Sequence, residues 1–261
     1  ARPVVLGAMA VIDDVSERQR LDAVRRDFVA NISHELKTPI GALGVLSETL
    51  VGETDPATVE RLAERIQTEA FRLARTVDDL LQLSRIEASE PPDAESVSIR
   101  QVVAEAVERT EAAADLQKVR ISVAPVEAWL TVVGDRRQLV SALANLLENA
   151  VKYSDAGAEV TVSARAAGDG VELDVADHGI GIPATDLERV FERFYRVDRA
   201  RSRDTGGTGL GLAIVRHVAQ NHGGDVVVRS REGEGSTFTL RLAGVAAVPP
   251  VTEHPPIPAS T

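Results

Sequence analysis

The first third of the chain is patterned for helices, with apolar positions that recur at alternating steps of four and three. This spacing marks one face of a helix and predicts two long amphipathic helices, over about 17–50 and 57–88. Residues 52–56 between them have the Gly, Asp and Pro of a turn. A helical hairpin cannot cover its own apolar stripe, so we predict a dimeric four-helix bundle. The stripe consists of Ile32, Leu36, Pro39, Leu43, Leu46 and Leu50 in the first helix and Val59, Leu62, Ile66, Leu73, Val77 and Leu80 in the second.

Beyond residue 98 the pattern changes to short apolar runs that alternate with helical segments. Interleaved helices and strands predict an α/β sandwich with one face of its sheet covered. The expected fold class is therefore α+β, a helical hairpin followed by an α/β sandwich. The predicted helices lie at about 99–115, 135–152, 186–193 and 209–222, and the predicted strands at about 118–124, 128–133, 158–166, 170–176, 225–230 and 236–242.

The same patterns indicate where domains begin and end. Residues 3–12 have the composition of a strand. The last segment of the chain contains five of the twelve prolines and no periodic pattern, which predicts disorder. The expected domains are a remnant of a preceding module at 1–16, the hairpin at 17–89, a linker at 90–97, the sandwich at 98–244 and a disordered tail at 245–261.

The composition is typical of a globular protein and narrows the class of partner. Apolar residues make up 44% and charged residues 26% of the chain. The net charge of -11 argues against a nucleic-acid binder and against charge-driven binding to anionic membranes. No segment approaches the roughly 18 consecutive apolar residues of a membrane span. The absence of cysteine excludes disulfides and thiolate metal sites. Because the chain begins at Ala1 rather than Met, we expect it to be part of a longer protein.

One histidine of the first predicted helix stands out by its position. At about 100° per residue, His34 lies on the side opposite the apolar seam, so we expect it to be exposed. Glu35 follows it, Thr38 lies one turn further along the same face, and Pro39 introduces a kink. A neutral imidazole, with a pKa of about 6.5, is available as a nucleophile near neutral pH. An isolated surface histidine without a function is the alternative for this residue taken alone.

The predicted helix over 139–153 is apolar except at a few positions. Asn145 and Asn149 are four residues apart and therefore share one face. An amide oxygen is a hard, neutral ligand that suits Mg²⁺, which takes few protein groups and relies on phosphate oxygens and water. Lys152 lies near the same rim, where its ammonium group suits a phosphate. A buried amide pair that caps local backbone is the alternative.

Two glycine-containing segments have the features of a nucleotide site. Asp177-His178-Gly179-Ile180-Gly181 directly follows a predicted strand, where a carboxylate can accept a hydrogen bond from the amine of adenine and the glycines let a flat ring approach. The segment 206–212 opens the last predicted helix, whose free N–H groups suit a phosphate. It matches neither a dinucleotide fingerprint nor a Walker loop. Taken alone, each pattern also fits an ordinary turn or flexible linker.

An aromatic and basic stretch lies between these segments. It runs from Phe191 to Arg196 and continues into a polar run over 199–205. Aromatics followed by a basic stretch are typical of a lid over a nucleotide. An ordinary solvated loop fits equally well.

Together and in this order, the motifs resemble those of the sensor histidine kinases of two-component signalling, over about 18–243. Within that family the likeness is greatest to the actinobacterial phosphate-responsive kinases. The resemblance implies a dimerisation and phosphotransfer bundle, followed by a Bergerat-type ATP-binding domain and preceded by a sensor module. The matching boxes are the H box (His34 to Pro39), the N box (Asn145 to Tyr153), the G1 box (Asp177 to Gly181), the F box (Phe191 to Tyr195) and the G2 box (Gly207 to Leu212).

The resemblance also implies roles for individual residues. His34 would be the phosphoacceptor, Glu35 would orient and deprotonate it, and Thr38 would help to place water when the partner is dephosphorylated. The expected cofactors are ATP and Mg²⁺, with the metal on Asn149. Asp177 would bind adenine, and Arg196 would approach the terminal phosphate. The full set expected at the nucleotide is Asn145, Asn149, Lys152, Tyr153, Asp177, Gly179, Gly181, Arg196, Gly207, Thr208, Gly209, Leu210 and Gly211.

The same resemblance implies partners and a location. The expected partners are a second copy of the chain and a response regulator whose receiver aspartate takes the phosphoryl group; no nucleic acid is expected. This part of the protein would be cytoplasmic, and the full-length protein would lie at the cell membrane.

Two other functions compete with this interpretation. ATPases of the gyrase and Hsp90 class resemble the same nucleotide site but place a glutamate base one turn before the metal-binding asparagine. That position here is Asn145, whose amide cannot take a proton from water, and Glu148 is rotated away by roughly 100°. A scaffold that binds ATP without transferring phosphate is disfavoured because His34, Asn149, Asp177 and the glycine boxes are all intact.

Overall fold

The structure is a computed structural model that describes residues 16–88, 95–197 and 207–244. The strand predicted at 3–12 and the tail predicted at 245–261 lie outside the described residues, as do most of the expected module remnant and the first part of the expected linker. In the part of the chain that is described, no helix combines the length and the apolar character needed to cross a membrane.

The predicted hairpin helices are α1 (Ser16–Leu50) and α2 (Pro56–Ala88). Helix α2 begins after Asp55, whose Oδ2 accepts hydrogen bonds from the backbone N–H and the hydroxyl of Thr58, at 3.0 and 2.7 Å. All six seam residues of α1 are buried or half-buried. The predicted apolar face of α1 is therefore confirmed.

The chain divides into two compact units at a point inside α2, between Leu73 and Ala74. The first unit contains α1 and the beginning of α2. The second contains the remainder of α2 and everything after it. The domain limits expected from the sequence, at 89 and 98, stay a prediction.

The second unit is built on a five-stranded sheet with the order β2-β4-β5-β7-β6. Strand β2 runs parallel to β4, and the other neighbours in this sheet are antiparallel. A separate two-stranded sheet pairs β1 with β3. The strands are β1 (Glu95–Ser98), β2 (Arg120–Val123), β3 (Thr131–Gly134), β4 (Glu159–Ala167), β5 (Gly170–Asp177), β6 (Asp225–Arg231) and β7 (Gly235–Ala243).

Three helices cover one face of the larger sheet. Along β5, Leu173 and Val175 are buried, whereas Glu172 and Asp174 point to the opposite face and form ion pairs with Arg165. One apolar and one charged face are what a sheet covered on a single side requires. The predicted α/β sandwich is therefore confirmed. Its helices are α3 (Ile99–Gln117), α4 (Arg136–Tyr153) and α5 (Gly211–Asn221).

The helix predicted over 186–193 is wrong. Only a 3-10 turn, Arg189–Phe191, forms there, within a series of turns. The turn ends at Glu192, whose backbone is extended, and Phe194 then adopts a positive φ of 62° and donates its N–H to the carbonyl of Gly209 at 2.8 Å. This bond to a distant segment outweighs the local helical pattern.

Part of the segment predicted as a linker, over 90–97, is paired in a sheet. Glu95–Ser98 form β1, which pairs antiparallel with β3. Val97 in this strand is buried. A strand of four residues held by a partner more than thirty positions away gives no periodic signal of its own.

Candidate functional site

The predicted phosphoacceptor lies on the open side of α1. His34 is exposed, and its ring has no hydrogen-bond or ion-pair partner among the described residues. Glu35 is half-buried, and Thr38 donates its hydroxyl to the carbonyl of His34 at 3.1 Å. Pro39, on the other side of the helix, is buried. The imidazole therefore faces solvent, on the side of α1 opposite the covered seam.

Asp177, the last residue of β5, is buried, and only one of its two carboxylate oxygens accepts hydrogen bonds from the described residues. Its Oδ1 accepts the N–H of Gly179 at 2.9 Å and the N–H of Ser236 at 3.2 Å. No described residue donates to its Oδ2. Burial raises the pKa of Asp177, and the two backbone hydrogen bonds act in the opposite direction. A buried acceptor of this kind suits an N–H donor on a flat ligand such as a purine.

The glycines after Asp177 let this loop lie directly against its neighbours. A Cβ on Gly179 would lie 2.1 Å from the carbonyl oxygen of Tyr153, at the end of α4. Gly181 has a φ of +67°, and a Cβ there would lie 2.1 Å from the carbonyl oxygen of Arg231. Neither position can accept a side chain without movement of the backbone. The glycine pattern therefore reflects close packing between the loop, α4 and β6.

Helix α4 and the second glycine segment meet at two points. The Oδ1 of Asn145 lies 2.8 Å from where a Cβ on Gly211 would stand, at the first residue of α5. The Nζ of Lys152 lies 2.5 Å from the corresponding position on Gly207. Two motifs that are about sixty residues apart in the sequence are thus brought together, with an ammonium group beside the glycine-rich turn.

The second glycine segment is held by backbone geometry. Gly209 has a φ of +71°, and a Cβ there would lie 2.9 Å from the backbone of Phe194. The Oγ1 of Thr208 accepts the N–H of Leu210 at 3.2 Å. The side chain of Leu210 is fully buried, so it is a core residue rather than part of a ligand surface. Only the backbone of Leu210 is part of the surface of this loop.

The aromatic stretch before this segment is ordered by internal contacts. The hydroxyl of Tyr195 donates to Asp186 at 2.7 Å, and the guanidinium of Arg189 lies over its ring, 4.2 Å from the centroid. Arg196 is half-buried and close enough to Tyr153 to lower its pKa, against the larger effect of burial, which raises it. The polar run expected to form a lid over 199–205 lies outside the described residues.

The side chains present fit a magnesium ion that is coordinated mainly by phosphate oxygens and water. Asn149 is half-buried, and its amide has no hydrogen-bond partner among the described residues. Among the described residues, no group of three or more His, Asp or Glu side chains could hold a metal by itself. A single neutral amide oxygen suits Mg²⁺ when phosphate oxygens and water complete its shell.

Several residues that shape the site were not predicted from the sequence. Ser236 completes the hydrogen bonds of Asp177, and Gly235 allows this approach, since a Cβ there would lie 2.1 Å from the carbonyl oxygen of Asp177. Buried His222 accepts the N–H of Asp135, the residue that caps α4, at 3.0 Å. The Gly-Ser pair that opens β7 is the one local signal, and it is weak because such pairs also occur in ordinary turns.

Two family models match the chain. The one described as "His Kinase A (phospho-acceptor) domain" matches residues 24–89, and the one described as "Histidine kinase-, DNA gyrase B-, and HSP90-like ATPase" matches residues 134–244. The second description covers kinases and ATPases alike, and the phospho-acceptor match decides between them. The chain belongs to the two-component sensor histidine kinases.

Individual proteins agree with this family. The chain is 51% identical over 237 residues to the sensor-like histidine kinase SenX3 of Mycolicibacterium smegmatis, a match over 90% of this chain and 62% of that protein. It is 37% identical to the phosphate regulon sensor protein PhoR of Pseudomonas aeruginosa, over 90% of this chain and 54% of that protein. The chain thus spans less than two thirds of these curated relatives. The expected family, and its likeness to actinobacterial and phosphate-linked sensor kinases, are confirmed.

A solved structure agrees with the fold. Histidine kinase ThkA in complex with the response regulator protein TrrA matches with a TM-score of 0.70 and 22% identity, covering 88% of this chain and 67% of that one. At this identity the likeness shows the fold alone. The expected α+β sensor-kinase architecture is confirmed.

Proposed function

We propose that this chain is the core of a sensor histidine kinase, which moves the γ-phosphoryl group of ATP to His34 and then to an aspartate of a response regulator. The exposed imidazole of His34, opposite the covered seam of α1, carries the proposal. One ring nitrogen attacks the γ-phosphorus, the bond from that phosphorus to the β–γ bridging oxygen breaks, and ADP leaves. Glu35 takes the proton from the other ring nitrogen.

The phosphorylated histidine is suited to onward transfer. A P–N bond to imidazole is labile, so an aspartate carboxylate of a partner protein can take the phosphoryl group and leave the imidazole free once more. To Thr38, one turn from His34 on the same face, we assign the role of orienting a water molecule when the partner is dephosphorylated. We therefore include phosphatase activity toward the response regulator in the proposal.

For the nucleotide, we assign adenine to Asp177 and the phosphates to the second glycine segment. The Oδ1 of Asp177 is occupied by two backbone N–H groups, which leaves Oδ2 for the adenine amine. Lys152 has its ammonium group beside Gly207, in support of phosphate binding there. Tyr153 and Arg196 complete the rim of the proposed site.

Mg²⁺ would be held by Asn149 together with phosphate oxygens. When bound, the ion neutralises negative charge on the transferred group. Transfer is favoured over hydrolysis because the position for a water-activating carboxylate is occupied by Asn145. The nearby Glu148 is paired with Arg75 at 2.6 Å instead.

A homodimer is the proposed assembly. Large apolar side chains of the first unit are left exposed in the single chain: Ile40 by 56%, Val45 by 64% and Phe71 by 64%. A second copy that builds a four-helix bundle would cover such surface. Placement of this part in the cytoplasm and anchoring of the full-length protein at the membrane rest on the family alone.

Replacement of the phosphoacceptor tests the proposal. We expect His34→Gln to bind ATP as the unmodified chain does but to lose acid-labile label from γ-labelled ATP, because the transfer has no acceptor. Nucleotide binding by calorimetry and label retention after acid and base treatment are the two measurements. Full labelling of the variant would refute the assignment.

A further inference from the structure

The second half of α2 carries a stripe of three polar residues and one apolar residue that contacts the helices of the proposed nucleotide site. Arg75, Asp79, Gln82 and Ile86 follow one another at steps of four, three and four, so they share one face of α2. These residues lie in the same compact unit as α4 and α5. The function proposed above assigns no role to this stripe.

Each position of the stripe contacts an element of the proposed nucleotide site or its flank. Arg75 pairs with Glu148 of α4 at 2.6 Å, and the amide of Gln82 donates to the hydroxyl of Ser141 in the same helix. At the other end, the amide of Asn221 in α5 donates to the carbonyl of Ile86 at 3.1 Å. The stripe therefore ties α2 to both helices.

Asp79 makes the contact with the most direct bearing on ligand binding. Its Oδ2 accepts the hydroxyl of Thr208 at 2.6 Å, within the second glycine segment. A threonine hydroxyl has a single hydrogen to donate, and Asp79 occupies it. The carboxylate is half-buried, which strengthens its effect on nearby charges.

A carboxylate at this position disfavours a phosphate nearby. Thr208 lies three residues before the first residue of α5, where the backbone N–H groups and the helix dipole favour an anion. Asp79 already supplies a negative charge there. An incoming triphosphate would meet a like charge and a hydroxyl that is already engaged.

We propose that Asp79 is an autoinhibitory latch, which competes with the phosphates of ATP for Thr208 and holds α2 against α4 and α5 until nucleotide displaces it. The proposal rests on the nucleotide site described above. Because the coupling is reciprocal, nucleotide weakens the docking of α2 to the same extent as the docking weakens nucleotide binding.

Removal of the carboxylate is the test. We expect Asp79→Ala and Asp79→Asn to bind the non-hydrolysable analogue AMPPNP, with Mg²⁺, about five- to tenfold more tightly than the unmodified 261-residue chain. Asp78→Ala is the matched control, since it removes the same charge from the exposed neighbouring residue and is expected to leave affinity unchanged. Titration calorimetry gives the affinities, and circular dichroism confirms that each variant is folded.

Hydrogen exchange supplies a second readout on the unmodified chain. AMPPNP is expected to speed amide exchange in 75–86, as α2 is released. Unchanged or weaker binding by both Asp79 variants, or slower exchange in 75–86 on addition of AMPPNP, would overturn the latch. Failure of the unmodified chain to bind AMPPNP would instead reject the proposed nucleotide site, so the two failures are distinguishable.

Discussion

The two compact units carry their functional residues in different ways. In the first, His34, Glu35 and Thr38 lie along a single helix, and their arrangement depends on neighbours no more than four positions away. In the second, Asp177 depends on contact with Ser236, a residue 59 positions further along the chain. Substitutions at the functional residues of the first unit are therefore expected to change the chemistry with little effect on stability. In the second unit, the ligand site and the fold share the same backbone contacts.

The largest effect is expected where a glycine of the second unit is replaced. Gly181→Ala places a methyl group 2.1 Å from the carbonyl oxygen of Arg231 at a φ of +67°, so the loop must move. We expect loss of detectable ATP binding and destabilisation by about 2–4 kcal/mol. Chemical denaturation and nucleotide titration measure the two effects.

Gly168→Ala is the control for this change. Gly168 has a similar φ of +62°, but a Cβ there meets no atom within 4 Å. The Gly168→Ala variant is therefore expected to be destabilised by the backbone strain alone, about 1–2 kcal/mol, and to bind ATP normally. Equal loss of binding in both variants would show that the close packing around Gly181 is not what matters.

An isosteric change at Asp177 separates the fold from ligand recognition within the second unit. In Asp177→Asn, the amide oxygen can still accept from Gly179 and Ser236, but the second position becomes a donor that faces the adenine amine. We expect ATP affinity to fall by about 10- to 100-fold, the cost of an unsatisfied buried pair of donors. Retention of full affinity would contradict the adenine assignment.

The difference in stability between Asp177→Asn and the unmodified chain depends on pH, and its sign follows from the raised pKa of Asp177. Because burial raises the folded-state pKa above the ordinary value of about 3.9, the charged carboxylate weakens the folded state near neutral pH. Asp177→Asn is therefore expected to be more stable than the unmodified chain at neutral pH. This advantage should shrink as the pH falls through the folded-state pKa, since the native carboxyl group then becomes neutral. Urea denaturation at several pH values measures the difference in stability between the two chains. A difference that stays constant across that range would contradict burial as the cause of the raised pKa.

The smallest structural effect is expected on the open face of α1. Thr38→Ala removes one exposed hydrogen bond to the carbonyl of His34, so stability should change by less than about 0.5 kcal/mol. Labelling of His34 is expected to remain within about twofold, since one exposed hydrogen bond contributes little. Dephosphorylation of a phosphorylated response regulator is expected to fall. Equal loss of both activities would reject the separate role of Thr38.

This contrast also explains what could be predicted from the sequence. The covered seam of α1 and the exposure of His34 follow from local periodicity, and both are confirmed. The absent helix at 186–193 could not be foreseen, because the bond between Phe194 and Gly209 joins segments of different local pattern. The contact of Asp79 with Thr208 spans 129 positions and leaves no trace in either local sequence.

The candidate site shows the same division. Local motifs identified Asp177, Gly179 and Gly181 as neighbours, because all three lie in one short loop. Leu210 was expected at the nucleotide from the G2 box, but its buried side chain belongs to the core. A motif assigns a segment to a site, and only packing decides which side chains of that segment face outward.

Identification of the modified residue is the most direct test of phosphoryl transfer to His34. The chain is incubated with Mg²⁺ and ATP labelled in the γ-phosphoryl group, digested under alkaline conditions, and its labelled peptide sequenced by mass spectrometry. We expect a single phosphoryl group on the imidazole of His34, stable to base and lost in acid. Label on a serine, threonine or aspartate, or release of inorganic phosphate with no labelled protein, would contradict it.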